Sequence, residues 1–298
     1  MDGILVINKP AGYTSHDCIA ILRGITGIRK MGHTGTLDPN ATGVLPVCLG
    51  KATKLIEYMD AGSKSYRAKV RFGIVTDTQD IWGTELENPF ENAYEHLMKL
   101  DFQTVSNALS TFEGKISQVP PAYSAVFVDG RRAYDIARGG GKVELKARKI
   151  TVHSIGLNDF DFEKHEAEFD ITCSRGTYVR TICNDLGEIL GCGACLSGLE
   201  RTMACGFGLD EALDLEEARK MSAEAVLSRL LPVERAIGDM QKIYLSEKES
   251  VSYLNGMTLK MDPTGYLQKE PSAVYYNNKL LGISQFIKDS LKPVKVFS

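Results

Sequence analysis

A change of hydrophobic period between residues 167 and 191 constrains the fold most strongly. Apolar and polar residues alternate over residues 167–173, and a period of two is typical of a strand with one buried face. After the break at residues 174–176, apolar residues recur at helical spacing as far as Gly191. The pattern predicts a half-buried strand that is followed, after a short break, by an amphipathic helix.

Other segments carry equally local patterns. The strand at Tyr66–Phe72 should bury one face and expose three cations on the other. The predicted elements are a strand over residues 4–7, a helix from Thr14 or Ser15 to Gly24, a strand over Tyr66–Phe72, a helix from Asp101 to Gly114, a helix capped by Thr177 with Tyr178 and Arg180 in its first turn, and helical structure over residues 209–231.

Residues 32–50 contain four Gly and two Pro. This segment has too many breakers for a helix, and it is longer than the ~4–6 residues of a routine connection. Long loops of this kind often carry function. We therefore predict a functional loop here.

The length of 298 residues suggests two domains, since a typical domain has about 150 residues. After Pro232 the sequence changes to short apolar segments separated by turn residues, which is typical of a small β domain. We expect domains at residues 1–238 and 239–298. A hydrophobic content of 43% excludes a disordered scaffold. Seven Cys without a disulfide framework, and no apolar run of about 18 residues, predict a cytoplasmic protein with reduced thiols.

Positive charge is concentrated in two segments, although the net charge is −3. Residues 1–76 and residues 131–150 each carry +5, whereas residues 77–113 carry −7. Such segregation can give one face that attracts a polyanion. On charge alone, an ordinary mixed surface is an equally good interpretation.

The sequence does not match the motifs of common cofactor-binding sites. Gly43–Lys51 has six residues between its glycines where a phosphate loop needs four. Gly191–Cys195 lacks the third glycine of a dinucleotide fingerprint. The C-x-x-C within that segment, taken with Cys183 and Cys205, does not have the spacing of a zinc site, so structural thiols are favoured.

The Gly-rich loop holds one carboxylate, Asp38, which is followed by Pro39. Asp before Pro is a common turn device, and the loop alone favours that structural interpretation. The segment Gly32–Gly43 closely resembles, however, the bacterial TruB family of tRNA pseudouridine-55 synthases. The resemblance extends, in order along the chain, over Lys9–Ser15, Lys64–Ala68, Thr76–Asp80, Gln118–Ala125, Cys173–Arg180 and Leu199–Phe207.

The resemblance implies the α/β (α+β) pseudouridine synthase fold, in which a mixed, largely antiparallel sheet and its helices form a central cleft. It also implies an RNA-clamping insertion at about residues 118–150 and a PUA-like C-terminal RNA-binding domain. The implied reaction isomerises uridine 55 in the T-loop of tRNA to pseudouridine. Because cleavage of the glycosidic bond and re-attachment of the base through C5 are redox-neutral together, we expect no cofactor and no metal.

Three catalytic residues follow from the resemblance. Asp38 is the essential carboxylate, either as nucleophile toward the ribose C1′ or as the base that forms a glycal, and we favour the glycal route. Burial in a base-sized pocket would raise the pKa of Asp38, so Arg180 is expected to keep it ionised; a surface phosphate contact is the alternative for Arg180. Tyr66 would stack on the uracil and could take the C5 proton, although its periodicity alone indicates a core residue.

RNA-binding residues are implied in the same way. The target base must leave its stack before it can react, and His33 matches the family residue that fills the vacated space. Cations of the insertion would meet phosphates, while its glycines at 139–141 permit movement. The expected RNA contacts are Lys9, His33, Tyr178, Arg131, Arg132 and Lys149. For Lys9, an exposed turn lysine is nearly as good an interpretation.

The expected partner is the T-arm stem-loop of tRNA, with no guide RNA and no membrane, and we expect a monomer. Two rival functions stay open at this point. One is a non-catalytic RNA chaperone that uses the same cleft, for which Asp38 would be dispensable. The other is a guide-RNA-dependent relative, which the clamp-like insertion and the absence of long basic tails disfavour.

Overall fold

The computed structural model describes residues 2–59, 62–124, 126–128, 130–141, 143–238 and 240–297. The strands are β1 (Gly3–Lys9), β2 (Met31–His33), β3 (Thr42–Leu49), β4 (Lys64–Phe72), β5 (Val75–Thr76), β6 (Glu85–Leu86), β7 (Gly114–Gln118), β8 (Phe127–Val128), β9 (Arg131–Arg132), β10 (Arg148–Asp161), β11 (Glu166–Cys173), β12 (Ala194–Ala204), β13 (Phe207–Gly208), β14 (Leu213–Asp214), β15 (Gln241–Tyr244), β16 (Leu259–Lys260), β17 (Pro271–Tyr276), β18 (Lys279–Ile287) and β19 (Ser290–Val296). The α-helices are α1 (Ser15–Thr26), α2 (Ile56–Met59), α3 (Ala93–Leu97), α4 (Phe102–Ser110), α5 (Ala133–Arg138), α6 (Val179–Leu190), α7 (Leu215–Ala218), α8 (Ala223–Leu227) and α9 (Glu247–Leu254), and 3-10 helices span Gly50–Leu55, Leu209–Glu211 and Val233–Ile237.

A ten-stranded sheet forms the centre of the molecule. Its strand order is β14-β1-β3-β12-β4-β11-β10-β7, with β2 and β13 added at its side. The pairs β1–β14 and β3–β12 are parallel, and the other pairs are antiparallel. The prediction of a mixed, largely antiparallel sheet is confirmed.

Both faces of the sheet are covered, which explains why β1 is apolar without alternation. Leu5 and Ile7 pack against helix α1, whereas Ile4 and Val6 pack in a second cluster together with residues of the C-terminal sheet. Helices α4 and α6 cover strands β4, β10, β11 and β12 in a third cluster. The site described below lies where α6 begins.

The C-terminal part is a five-stranded sheet in the order β15-β17-β18-β19-β16, with helix α9 packed on it. The expectation of a C-terminal β domain is therefore confirmed. Its predicted first residue, Asp239, lies outside the described residues, as does Lys142 of the predicted basic segment. The exact domain boundary stays a prediction.

Two predicted helix ends are wrong. Helix α1 continues through Gly24 to Thr26, because Ile25 still packs in the core, and it ends where Gly27 takes a left-handed φ of 71°. Helix α4 is capped by Asp101 as predicted but ends at Ser110, before the strand that starts at Gly114.

Two larger segments were also misassigned. Residues 42–49 form strand β3 rather than loop, because pairing with β1 along its length overrides the local breakers Gly43 and Pro46. Residues 209–231 are not one helix, since the side chains of Asp214 and Ser222 cap separate short helices and so interrupt it.

None of the seven Cys forms a disulfide, and Cys192 and Cys195 are fully buried. In the part of the chain that the structure describes, no three metal-ligating side chains are gathered together. Within the same residues, none of the helices has the length and apolar character needed to cross a bilayer.

Candidate active site

Asp38 lies in the loop between β2 and β3, and contacts from α1 and from the turn before it hold the backbone around Asp38. The Leu37 N–H donates to Oγ of the buried Ser15 at 3.0 Å, and the Ser15 hydroxyl lies 3.4 Å from the Leu37 carbonyl oxygen. The Gly12 N–H donates to the Pro39 carbonyl at 3.0 Å. The two neighbours of Asp38 in the chain are therefore both fixed.

Lys9 is fully buried beneath this loop. Its ammonium donates to the carbonyl oxygens of Pro10, Tyr13 and Pro39 at 2.9, 2.7 and 2.9 Å. Burial lowers the pKa of Lys9 to about 8. Because its three protons are all used within the protein, the geometry favours a positioning role for Lys9 over the predicted RNA contact, and it excludes an exposed turn lysine.

Arg180 faces Asp38 from the first turn of α6. The Arg180 Nε atom lies 3.1 Å from Asp38 Oδ2, and only 8% of the Arg180 side chain is exposed. Its Nη1 donates to the Thr78 carbonyl at 3.2 Å, and its Nη2 donates to the Tyr123 carbonyl at 3.1 Å. The guanidinium is thus held by partners on several sides, and the structure brings the predicted pair together.

The carboxylate itself is more open than expected. The Asp38 side chain is 48% exposed in the free protein, so the predicted burial is wrong for this state. Asp38 borders the cleft, where solvent still reaches it.

The sequence analysis did not single out Asp80 as a site residue. Its Oδ2 lies 3.4 Å from Arg180 Nη1, and its side chain is only 15% exposed. Its Oδ1 accepts from Thr78 Oγ1 at 2.9 Å and from the Trp82 N–H at 3.2 Å. The Thr76–Asp80 block was the available signal, but sequence spacing does not place it beside Arg180.

Two cavities meet at this ion pair, and Asp38, Tyr178, Arg180 and Leu199 line both. The inner cavity, of about 110 Å³, also contacts Tyr66. The outer cavity, of about 530 Å³, is also lined by aromatic and basic side chains, namely His16, Trp82, Tyr123, Arg132, Tyr134 and Arg138. The cleft therefore has a small compartment and a larger one, and the carboxylate lines both.

Tyr66 on β4 is partly buried, and burial raises the pKa of its hydroxyl to about 12. The positive charge of Arg201, paired opposite it on β12, counteracts part of that rise in pKa. Arg201 is fully buried, and its Nε and Nη2 also donate to the carbonyls of Val44 and Gly35 at 2.7 and 3.3 Å. Arg201 thus lies opposite Tyr66 and holds the backbone on both sides of the Asp38 loop, a role that the sequence analysis missed.

The chain at the start of α6 is fixed by the side chain of Gln118, the last residue of strand β7. The Tyr178 N–H donates to Gln118 Oε1 at 2.8 Å, and Gln118 Nε2 donates back to the Tyr178 carbonyl at 3.1 Å. Thr177 was predicted to cap α6, but its hydroxyl bonds to the Ser174 carbonyl, and Tyr178 is the cap residue. Tyr178 is thereby held at the junction of the two cavities.

His33 is partly buried, and its ring lies edge-on to that of His16 with 5.2 Å between centroids. His16 is exposed and lines the outer cavity, which His33 does not. Filling of a vacated RNA stack by His33 stays a prediction, with His16 as an unpredicted neighbour.

The insertion places cations on aromatic rings. The Arg132 guanidinium lies 5.5 Å from the Phe127 ring centroid and 6.0 Å from that of Tyr134, while Arg138 lies 5.5 Å from the Tyr134 ring. Arg131 and Lys149 are exposed on β9 and β10. All three predicted phosphate contacts are thus on the surface or in the cleft.

The three cations on the basic face of β4 form ion pairs within the protein. Arg67 and Arg71 pair with Asp170 and Glu166 of β11 at 2.9 and 3.2 Å, and Lys69 lies 3.8 Å from Glu168. These cations are neutralised across the strand pair.

A family model described as TruB family pseudouridylate synthase, N terminal domain, matches residues 23–179. A model for the tRNA pseudouridylate synthase B C-terminal domain matches residues 180–238. These matches define the chain as a pseudouridine synthase.

Curated relatives agree over most or all of the length. The tRNA pseudouridine synthase B of Symbiobacterium thermophilum is 45% identical over 258 residues, which are 86% of this chain and 83% of the relative. That of Streptococcus pneumoniae serotype 4 is 40% identical over 302 residues and covers 100% of both chains. The chain belongs to the TruB family.

The fold is also shared with a more distant solved structure. A chain from an H/ACA RNP bound to a substrate RNA containing 2′-deoxyuridine aligns with a TM-score of 0.73 at 20% identity, over 99% of this chain and 85% of that one. The expected pseudouridine synthase fold is confirmed.

Proposed function

We propose that this enzyme converts uridine 55 in the T-loop of tRNA to pseudouridine. The observation that carries the proposal is the Asp38 carboxylate held 3.1 Å from the Arg180 guanidinium, where it lines both a cavity of about 110 Å³ and a larger one. Relatives named tRNA pseudouridine synthase B, which match the whole chain, support tRNA as the substrate.

The reaction breaks the bond between N1 and C1′, rotates the uracil and forms a bond between C5 and C1′. One proton leaves C5 and one is gained at N1, so atoms and electrons balance without a redox partner. The uracil must be flipped out of the RNA to reach Asp38. The inner cavity beside Tyr66 is the compartment that we assign to it.

Asp38 can act by either of two routes. It can attack C1′ as the uracil leaves, or it can remove the C2′ proton to give a glycal that later regains that proton. We favour the glycal route. A primary isotope effect with 2′-deuterated uridine is expected, and its absence under single-turnover conditions would favour direct attack.

Arg180 keeps the carboxylate ionised when the RNA base displaces water. Tyr66 stacks on the uracil and accepts the C5 proton in the last step. Since burial raises the pKa of Tyr66 to about 12, its hydroxyl first gives its own proton to N1 of the detached uracil, and the adjacent Arg201 guanidinium stabilises the phenolate that then takes the C5 proton. Tyr66→Phe should therefore show a C5-deuterium isotope effect, and turnover equal to wild type would refute this role.

The direct test uses the purified full chain and a T-arm minihelix, with no other RNA added. We expect pseudouridine only at the position that corresponds to 55, detected by mass spectrometry after carbodiimide labelling. A minihelix with cytidine at that position is the control. Modification that requires a guide RNA, or none with either tRNA or the minihelix, would refute the proposal. We further propose that the enzyme acts in the cytoplasm and that it is a monomer. Light scattering of the purified protein tests the monomeric state.

A further inference from the structure

The outer cavity has room for more than the reacting base. At about 530 Å³ it is nearly five times the size of the inner cavity, and it lies in the range that accommodates sizeable ligands. If the uracil occupies the inner cavity, as the proposed function requires, the outer cavity is left for another part of the substrate.

Trp82 presents a large apolar ring to this space. Its side chain is 50% exposed in the free protein, and it lines the outer cavity. It is also the single tryptophan in the sequence. Tryptophan has the largest apolar side chain, and an indole that is exposed in a cleft can bury its apolar surface only against a partner.

The backbone that carries Trp82 is rigid. The Ile81 N–H donates to the Leu196 carbonyl at 2.8 Å, and the Gly83 N–H donates to the Asp80 carbonyl at 3.1 Å. A Cβ on Gly83 would lie 2.1 Å from Thr78 Oγ1, so the turn closes tightly only with glycine there. Because the main chain is already fixed, little conformational entropy is lost when a planar group stacks on the ring.

Other walls of the cavity indicate what that planar group is. Tyr134 carries Arg132 and Arg138 against its ring, and all three line the cavity. Aromatic rings together with cations are the combination that binds single-stranded nucleic acid, where bases stack and phosphates pair with the charges. A nucleotide satisfies both kinds of group at once.

We propose that Trp82 is a stacking platform for a second base of the substrate RNA, adjacent to the target uridine, in the outer cavity. The inference rests on the proposed function and adds a residue that determines binding. It places the reacting base and its neighbour in two cavities that are both lined by the Asp38–Arg180 pair. The neighbour thereby helps to keep the target uridine out of the RNA stack.

Tryptophan fluorescence tests this directly, because Trp82 is the sole source of the signal. Titration of the T-arm minihelix into the full chain should quench the emission, saturating at the Kd measured independently by filter binding. Minihelices with an abasic site at each position flanking the target should bind, and one of them should leave the emission unquenched. Unchanged emission at saturating RNA, or quenching by every abasic RNA, would overturn the proposal.

Substitutions give a second measurement. Trp82→Ala should weaken minihelix binding by roughly 5- to 150-fold, the value of one base stack, and Trp82→Phe should recover most of that loss. The matched control is Tyr94→Ala on α3, which removes a ring that is 71% exposed and does not line the cavity. Equal affinity of Trp82→Ala and Tyr94→Ala would refute the role. Pseudouridine formation is measured in the same samples. If the wild-type enzyme forms pseudouridine but Trp82→Ala binds the minihelix as tightly as wild type does, this inference is wrong and the proposed function is unaffected.

Discussion

Replacement of Ser15 by Ala should damage the site without touching a reacting group. The Ser15 hydroxyl is buried and forms its hydrogen bonds with the N–H and the carbonyl of Leu37, the residue before Asp38. In Ser15→Ala the buried Leu37 N–H loses this acceptor. A buried polar group left unsatisfied costs about 1–3 kcal/mol, so we expect the free energy of unfolding to fall by that amount.

The catalytic effect should exceed the effect on stability. Without the hydrogen bond, the Leu37 backbone can shift and carry Asp38 with it. A misplacement of about 1 Å can lower a rate on the order of 100-fold. We therefore expect a large loss of turnover with tRNA affinity retained, because Ser15 itself does not line either cavity.

The measurements are urea unfolding and single-turnover pseudouridine formation. Ser110→Ala is the matched control, since the Ser110 hydroxyl is exposed on α4 and bonds only to a carbonyl of its own helix. Its unfolding free energy should stay within about 0.5 kcal/mol of wild type. If Ser15→Ala behaves like Ser110→Ala in both assays, the argument that Ser15 positions Asp38 is wrong.

Further predictions concern charge. Between pH 8 and 10.5 the unfolded chain binds a proton at Lys9 that the folded chain has lost, so the contribution of Lys9 to the free energy of unfolding should rise with pH. In urea unfolding, the free energy of unfolding of wild type minus that of Lys9→Met should therefore increase across this window. A constant value of that difference would contradict the burial argument. Arg180→Ala should lower turnover on the order of 100-fold or more while affinity for tRNA falls little, and equal losses would indicate a phosphate contact instead. Simultaneous replacement of Arg131, Arg132 and Lys149 by Ala should reduce the slope of log affinity against log salt by roughly 2 to 3, and an unchanged slope would exclude phosphate contacts by these side chains.

Local patterns in the sequence were sufficient for elements whose burial is decided nearby. The alternation in β11 and the helical stripe of α6 were both recognised, because each buries a single face. Strand β3 was missed because Gly43 and Pro46 are local breakers. In the fold, a Cβ on Gly43 would lie 2.3 Å from the Arg201 carbonyl oxygen, so that glycine reflects a close strand contact rather than a loop.

The residues of the site likewise divide into those that the sequence identified and those that it did not. Asp38 and Arg180 were identified through the family resemblance, and the structure places them in contact. Asp80 and Arg201 were missed as site residues because their partners are about 100 residues or more away in the chain. Spacing along the sequence carries no information about such pairs.

The most direct test of the account is the Asp38→Asn variant, which keeps the size of the side chain and removes its charge. We predict that this variant binds tRNA yet forms no pseudouridine, even with enzyme in excess and long incubation. Modification at the wild-type rate would show that the carboxylate is not the catalytic group, and the same cleft would then have to serve tRNA in another way, such as refolding.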